Sequence, residues 1–210
     1  MPAPVPDTTP AAPPWRRIGV LGGTFDPPHV AHLVAAVNAR HALDLDVVLL
    51  VVANEPWQKV GSRDVSPVEA RLAMTRAACE GVDGVEVSTV EIERGGPSYT
   101  VDTLRELRRH HPDAELFLVL GGDAAAGLPS WERAEEVPEL CRFVVVDRPG
   151  SEFDPTGWPG RWERVEIPRL DIASTDLRAR VADGRPLDFL VPPGVLSCIG
   201  TFDLYRGRLD

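Results

Sequence analysis

The sequence predicts an α/β protein in which helices cover both faces of a doubly wound parallel sheet within a single domain. Short, nearly continuous apolar runs alternate along the chain with longer amphipathic segments, and this alternation is typical of parallel strands that are buried on both faces. Glycines, prolines and acidic residues follow directly after several of these runs. Because open parallel sheets bind ligands at the carboxyl ends of their strands, the pattern favours a Rossmann-like fold with its site at that edge.

Each predicted strand is a short apolar run that ends in a turn signal. RIGVLGG (17–23) is stopped by glycine, DVVLLVVA (46–53) contains seven consecutive apolar residues, and VEVSTVEI (85–92) alternates between apolar and polar residues. ELFLVLGGD (115–123) and RFVVVDRPG (142–150) repeat the design of the first strand, and a Gly/Pro-rich loop at about 148–161 precedes a short strand at about 164–167.

Each predicted helix has apolar residues at helical spacing or a capping pattern. The first has the helically spaced set Val30, Leu33, Val34 and Val37. Ser66 and Pro67 indicate an N-cap followed by proline at the first helical position, and Thr100 is the predicted cap of TVDTLRELRRHH. The last quarter is predicted to be helical from STDLRARVADG to PGVLSCIG.

Length and composition bound the domain organisation and the partners. A chain of 210 residues is long enough for one domain with a proper core. Residues 1–14 contain six prolines and no periodicity, so we expect a disordered tail before a domain at 15–210. The net charge of −10 argues against nucleic acid or an anionic membrane as a partner. The sequence leaves the oligomeric state open, a homo-oligomer included.

The cysteines and the apolar runs indicate a cytoplasmic protein. Cys79, Cys141 and Cys198 lie far apart and form no metal or disulfide pattern, which favours idle thiols in a reducing compartment. The longest apolar run, Val47 to Ala53, is far shorter than the ~20 residues that span a bilayer. The amino terminus shows no signal-peptide pattern.

The segment GGTFDPPHVAHL (22–33) joins the first strand to the first helix and has the parts of a phosphate site. Gly22 and Gly23 let the backbone approach a ligand where a Cβ would collide. A helix that begins near His29 offers outward N–H groups and about half a positive charge, and His32 lies on the same face of its first turn. Two ordinary histidines and a zinc site are the alternatives, but no third ligand stands at metal spacing. We therefore favour phosphate contact and predict no protein-bound metal.

Two common nucleotide motifs are missing, and a second anion site is present. The chain has no G-x-G-x-x-G and no P-loop motif, which disfavours a dehydrogenase. In IASTDLRAR (172–180), Ser174 or Thr175 is a predicted helix cap with Arg178 one turn further on. Lys59 follows the second strand and adds a charge. Two helix starts with these donors suit a triphosphate.

The segments GGTFDPPHVAHL, PSYTVDTLRELR, GGDAAAGLPSW, RPG and IASTDLR together resemble the bacterial nicotinate-nucleotide adenylyltransferases. These are members of the nucleotidyltransferase superfamily with the H-x-G-H signature, and the resemblance runs from about Arg17 to Tyr205. It implies a Rossmann-like sheet and the reaction of ATP with nicotinate mononucleotide to give nicotinate adenine dinucleotide and pyrophosphate, with Mg²⁺.

The resemblance also implies roles for particular residues. The residues implied to hold ATP are Gly22, Gly23, Thr24, Phe25, His29, His32, Asp123, Arg148, Ser174, Thr175 and Arg178. Of these, Ser174, Thr175 and Arg178 match the β/γ-phosphate site, and Asp123 matches an aspartate near the ribose. Thr100 and Trp131 match the residues that bind and stack on the nicotinate ring. His32 and His29, supported by Lys59 and Arg178, are the expected catalytic donors to the charge that develops in an in-line displacement.

The chain departs from the family pattern at several positions. Ala31 replaces the glycine of H-x-G-H, and Ala173 replaces a hydroxyl residue of the phosphate site. Pro56-Trp57-Gln58-Lys59 keeps the lysine of the usual P-P-H-K, and Gly121-Gly122-Asp123 stands for G-A-D. Adenylyl transfer to nicotinamide mononucleotide, dual specificity and a non-catalytic ATP-binding module remain alternatives. A pantetheine-phosphate adenylyltransferase is disfavoured by the SYT…DTL and GGD…PSW segments.

Overall fold

A computed structural model describes residues 15–56, 65–147 and 157–206, so the predicted tail at 1–14 lies outside the described residues. The strands are β1 (Arg17–Gly23), β2 (Val47–Val52), β3 (Val85–Ser88), β4 (Glu115–Gly121), β5 (Arg142–Asp147) and β6 (Trp162–Glu166). In the described part of the chain they form one sheet in the order β3-β2-β1-β4-β5-β6, and every neighbouring pair is parallel. The predicted doubly wound parallel sheet is confirmed.

Helices cover both faces of this sheet. Their bounds are α1 (Val30–Ala42), α2 (Val68–Cys79), α3 (Val90–Arg94), α4 (Thr100–His110), α5 (Gly122–Ala126), α6 (Ser174–Ala182) and α7 (Pro193–Thr201), with short 3₁₀ helices at Leu128–Ser130 and Ala134–Glu139. α3, α4 and α5 pack on one face, where strand residues such as Val20 and Leu118 point. α1 and part of α2 pack on the other face, with Leu21 and Val119. A third cluster joins α2, α6 and α7.

Helix α1 faces the sheet with small residues. Ala36 and Ala39 are fully buried and Ala35 nearly so, whereas Val37 is 43% exposed. The predicted apolar set at 30, 33, 34 and 37 is therefore not the buried face. Alanine side chains let the helix lie close to the strands, and the larger residues lie on its sides.

Two predicted boundaries are wrong. The third strand ends at Ser88, and Val90–Arg94 forms helix α3, because the pairing with β2 runs out at Val51↔Ser88. Helix α2 begins at Val68 with Pro67 as its cap, rather than at Pro67. The residue before it, Ser66, is held from outside the helix, since its amide donates to Asp26.

The side-chain caps predicted for two other helices are also wrong. α4 begins at Thr100 itself, and Tyr99 is its cap residue. α6 begins at Ser174 with Ala173 as its cap, and neither hydroxyl bonds a helix amide as a cap. Distant parts of the chain contact both regions instead: Ser174 Oγ bonds the carbonyl of Pro27, and Ser98, two residues before α4, accepts from the amide of Asn54.

Candidate active site

The candidate site lies where the chain order of the sheet reverses. β1 and β4 are neighbours, and the connections that leave them lead to opposite faces of the sheet, an arrangement that opens a crevice at the strand ends. A cavity of about 620 Å³ lies there. Its lining includes these residues predicted from the sequence: Gly22, Gly23, Thr24, His29, His32, Thr100, Asp123 and Trp131.

A second cavity of about 530 Å³ adjoins the first. Ala31, Asp123 and Ile172 line both cavities. Ala173 and Asp176, at the start of α6, line only the second. The two cavities therefore form a continuous two-part crevice, and Asp123 stands at the junction.

The two loop glycines are required for different reasons. A Cβ on Gly23 would lie 2.8 Å from the ring of Phe25, whereas a Cβ on Gly22 would meet no protein atom within 4 Å. Phe25 is buried with a φ of +50° and makes an edge contact with the ring of His32 at 5.1 Å. Gly23 thus makes room for the protein's own aromatic ring, and Gly22 leaves the wall of the cavity bare.

His29 and His32 form a coupled pair at the start of α1. The backbone amide of His29 donates to Nδ1 of His32 at 3.1 Å, and the two ring centroids are 3.8 Å apart. Since Nδ1 of His32 is an acceptor, its neutral imidazole carries the proton on Nε2 and is a hydrogen-bond donor there. Nδ1 of His29 is buried without a hydrogen-bond partner among the described residues.

The helix amides are less available than the sequence predicts. The Val30 amide donates to the carbonyl of Leu190 at 3.0 Å, and the His32 amide donates to the carbonyl of His29 at 3.0 Å. The prediction of outward, unpaired N–H groups is wrong for these two residues, because the turn before α7 supplies an acceptor for Val30 and the cap residue His29 supplies one for His32.

Burial keeps His29 uncharged. The residue is 6% exposed, and burial lowers its pKa from 6.5 to about 4. In the folded protein at neutral pH His29 is therefore a neutral imidazole.

This low pKa predicts a loss of stability on acidification. The unfolded chain binds the proton at its ordinary pKa of 6.5 and the folded protein only near 4, so the stabilisation is complete above about pH 6.5 and declines as the pH falls towards 4. We expect a loss of up to about 3 kcal/mol in the free energy of unfolding. Urea unfolding between pH 7.5 and 4.5 measures this loss. His29→Gln is expected to remove the part of the pH dependence of the unfolding free energy that comes from His29. Parallel pH profiles for the two proteins would contradict the assignment.

The start of α6 contacts the loop that carries the histidines. Ser174 Oγ donates to the carbonyl of Pro27 at 2.9 Å. Arg178 Nη1 donates to the carbonyl of Asp26 at 2.8 Å, and its Nη2 donates to Thr175 Oγ1 at 3.0 Å. Among the described residues Ser174, Thr175, Arg178 and Phe25 line neither cavity. They support the loop, and their predicted contact with phosphate stays a prediction.

Arg71 supports the loop of the candidate site and was not predicted from the sequence. The side chain is 2% exposed and donates to four backbone carbonyls, which are Ser66 at 2.9 Å, Thr24 at 3.1 Å, Ala53 at 2.6 Å and Asn54 at 3.0 Å. It thereby joins the loop after β1 to the end of β2. Burial lowers the pKa of Arg71, and the charge of Asp26 opposes that shift. The sequence did contain a signal of its burial, because Arg71 lies at helical spacing from Met74, Thr75 and Ala78, which are buried on the same face of α2.

A second missed group lies at the floor of the larger cavity. Glu91, Ser98 and Thr103 line it close to Thr100 in the chain. Thr103 Oγ1 donates to Glu91 Oε1 at 2.5 Å, and the amide of Asn54 donates to Ser98 Oγ at 2.8 Å. Burial raises the pKa of Glu91, although hydrogen bonds from Ser98 and Thr103 oppose the shift. The group joins the end of β2 to the start of α4.

Two predicted site residues, Lys59 and Arg148, lie outside the described residues. Within the described ranges, no helix is long and apolar enough to cross a membrane.

The parallel sheet, the glycine loop and the histidine pair at the switch point define a nucleotidyltransferase-type α/β protein. Residues 20–180 match the family model described as Cytidylyltransferase-like. This match covers the loop after β1, both histidines and the start of α6, so it includes most of the candidate site.

The similar curated proteins narrow the class. A probable nicotinate-nucleotide adenylyltransferase of Clavibacter michiganensis subsp. michiganensis is 48% identical over 200 residues, which are 95% of this chain and 98% of that protein. Another, from Streptomyces coelicolor, is 48% identical over 189 residues, which are 90% of this chain and 100% of that protein. The chain belongs to the nicotinate-nucleotide adenylyltransferase family, and it is an enzyme.

A solved structure shares the fold. The Plasmodium falciparum nicotinic acid mononucleotide adenylyltransferase, complexed with NaAD, superposes with a TM-score of 0.77 over 90% of this chain and 97% of that one. The sequence identity is 18%, so this likeness supports the architecture alone.

Proposed function

We propose that the enzyme transfers the adenylyl group of ATP to nicotinate mononucleotide, giving nicotinate adenine dinucleotide and pyrophosphate in NAD biosynthesis. The observation that carries the proposal is the continuous crevice, which is lined by the glycine loop and the histidine pair together with Asp123, Thr100 and Trp131. Relatives that are 48% identical over most of the chain carry this activity in their names.

The chemistry needs no nucleophile from the protein. The phosphate of the mononucleotide is already an anion, and it attacks the α-phosphorus in line while pyrophosphate leaves. The enzyme contributes by positioning the two phosphates and by stabilising the charge that develops on them. His32 donates a hydrogen bond from Nε2 to this charge. The neutral imidazole of His29 lies beside it at the same loop. Lys59 and Arg178 are the proposed cationic supports.

The side of the crevice at Asp123 is the proposed place for adenosine. A carboxylate accepts hydrogen bonds from vicinal ribose hydroxyls, and Asp123 lies at the junction of the two cavities. Arg148, Ser174 and Thr175 are proposed to complete the ATP site.

Because no protein atom lies close to where a Cβ on Gly22 would be, a methyl group there is expected to affect ligand binding and not folding. Gly22→Ala adds a Cβ that meets no protein atom within 4 Å, so we expect unchanged stability and a KM for ATP raised by about tenfold, equivalent to ~1.4 kcal/mol. Gly23→Ala places its Cβ 2.8 Å from Phe25, and such overpacking costs about 1–3 kcal/mol in the free energy of unfolding. Urea unfolding and initial rates separate the two variants, and an unchanged KM in Gly22→Ala would contradict the proposed phosphate position.

The Thr100–Trp131 side is the proposed place for the pyridine ring. Trp131 is half-buried and lines the cavity, where its ring offers a stacking surface. A tenfold preference for the carboxylate over the carboxamide requires only about 1.4 kcal/mol. Backbone donors near Thr100 and Trp131 can provide this.

Mg²⁺ is proposed to enter with ATP. Across the described ranges, no three histidine, cysteine, aspartate or glutamate side chains come together as metal ligands. A magnesium ion on a nucleotide takes most of its ligands from phosphate oxygens and water. The described part of the site therefore fits a cation that ATP carries in with it. When bound, the ion neutralises part of the phosphate charge.

We place the enzyme in the cytoplasm. Cys79, Cys141 and Cys198 are free thiols, and burial raises the pKa of Cys79 to about 11, which leaves it unreactive. Free, inert thiols suit a reducing compartment that also supplies ATP.

The test is pyrophosphate release from ATP and Mg²⁺ with each pyridine mononucleotide. We expect turnover with nicotinate mononucleotide and a lower kcat/KM with the amide. Turnover with the amide alone would indicate a nicotinamide-mononucleotide adenylyltransferase, equal turnover a dual-specificity enzyme, and ATP binding without turnover a non-catalytic module.

A further inference from the structure

Asp26 is a buried acidic side chain that the proposed reaction does not use. It is 1% exposed and lies three residues before His29. Its carboxylate accepts hydrogen bonds from the Tyr205 hydroxyl at 2.6 Å and from the Ser66 amide at 3.3 Å. Its backbone oxygen accepts from Arg178 at 2.8 Å. Asp26 is therefore held through both its side chain and its main chain.

Tyr205 reaches Asp26 from the far end of the chain. It lies four residues beyond the end of α7, and both Tyr205 and Asp203 have a left-handed backbone, with φ of +63° and +50°. Residues other than glycine rarely adopt this region and remain there only where the surrounding contacts hold them. Leu204, between the two, is buried and its amide bonds the Ile199 carbonyl at 3.0 Å. Packing of this turn thus directs the Tyr205 hydroxyl towards the histidine loop.

The protonation states suit a directed hydrogen bond. Burial and the neighbouring Asp26 raise the pKa of Tyr205, so the hydroxyl keeps its proton and donates. A phenol that donates to a carboxylate makes a short, charge-assisted bond, in agreement with the distance of 2.6 Å.

The position of Asp26 affects both imidazoles. Three residues after Asp26, the amide of His29 donates to Nδ1 of His32, and that bond fixes the orientation and tautomer of the His32 ring. A displacement of Asp26 moves the start of α1 and with it this donor.

We propose that Tyr205 and Asp26 form a C-terminal latch that positions the His29–His32 pair for adenylyl transfer. Both are positioning residues, because they touch the loop and not the reacting atoms. The link to catalysis rests on the proposed function, whereas the link to the conformation of the histidines does not.

Tyr205→Phe tests the latch, because it keeps the aromatic ring and removes the hydroxyl, which bonds Asp26 at 2.6 Å and contacts Met74 Sδ at 3.8 Å. Thr201→Val is the matched control, since it removes an exposed hydroxyl of α7 that bonds the Ser197 carbonyl within the helix. Two readouts are taken at a temperature at which circular dichroism shows that wild type and variants are folded. They are kcat with saturating substrates and the imidazole titrations of the five histidines followed by NMR.

In Tyr205→Phe we expect kcat to fall about tenfold, equivalent to ~1.4 kcal/mol, while the KM for the mononucleotide stays within twofold. The His29 titration is expected to move upwards from about 4 by at least one pH unit. Thr201→Val is expected to change neither readout. A merely structural role would lower the melting temperature and leave both readouts of the folded protein unchanged, which would overturn the proposal.

A second variant covers the case in which Tyr205→Phe does not fold. Asp26→Asn keeps the oxygen that faces Tyr205 but sets an amide group against the Ser66 N–H. Both readouts are expected to move in the same direction by a smaller amount, and unchanged readouts would overturn the proposal. If wild type turns over no pyridine mononucleotide, the proposed function fails, while the imidazole titrations still decide whether the latch exists.

Discussion

Replacement of His32 by asparagine is expected to lower kcat by about 100- to 1000-fold, equivalent to roughly 2.7–4 kcal/mol of transition-state stabilisation. The ring lines the cavity, and its Nδ1 accepts from the amide of His29 at 3.1 Å, so Nε2 is the nitrogen that we propose donates to substrate. An amide side chain keeps an acceptor for the His29 amide but is too short to place a donor where Nε2 stood. The loss is expected in kcat, because the interaction strengthens as charge develops on the phosphates. Initial rates of pyrophosphate release measure it.

His110→Asn is the matched control, since His110 is exposed at the end of α4 and is expected to keep wild-type kcat. Urea unfolding of both variants checks that the loss does not come from a damaged fold. A His32→Asn enzyme with a kcat within threefold of wild type would remove His32 from the chemistry. A loss confined to KM would make it a binding residue that contributes equally to ground and transition states.

The sheet and the glycine loop after β1 were predictable because their signals are local. A strand buried on both faces needs a continuous apolar run, and β1, β2, β4 and β5 each have one. The turn after β1 needs a residue without Cβ beside Phe25, and Gly23 is visible in the sequence. The spacing of His29 and His32 also indicated that their rings lie together, although the helix begins only at Val30 and His29 is its extended cap residue, not part of its first turn.

What the sequence could not predict depends on contacts between distant segments. The bond from Tyr205 to Asp26 joins residues 179 positions apart, and the carbonyl of Leu190 occupies an amide at the start of α1. Glu91 reads as an outward strand residue, yet helix α3 turns it inward to Thr103. In each case the packing of whole elements on the sheet determines which residues meet. The sequence around either partner contains no sign of the contact.

Arg71→Met is expected to lower the free energy of unfolding by about 3–5 kcal/mol. Methionine fills a similar volume but donates no hydrogen bond, so four carbonyls that now accept from Arg71 lose that donor. The buried carboxylate of Asp26 also loses the cation whose charge interacts with it. Since a domain of this kind is stable by only about 5–15 kcal/mol, the variant is expected to unfold at a much lower urea concentration.

Arg71→Lys separates the effect of the positive charge from the effect of the hydrogen-bond geometry of the guanidinium group. A lysine keeps the cation but cannot span carbonyls on three different segments, because its donors lie at one point and not on a planar fork. We therefore expect it to be intermediate in stability, with the larger defect in the KM for ATP, since the carbonyl of Thr24 belongs to the loop that is proposed to hold phosphate. Arg76→Met is the matched control, because Arg76 lies exposed on the same helix and its loss is expected to change stability by no more than about 0.5 kcal/mol. Equal unfolding midpoints for Arg71→Met and Arg76→Met would mean that the buried guanidinium does not hold the loop to β2.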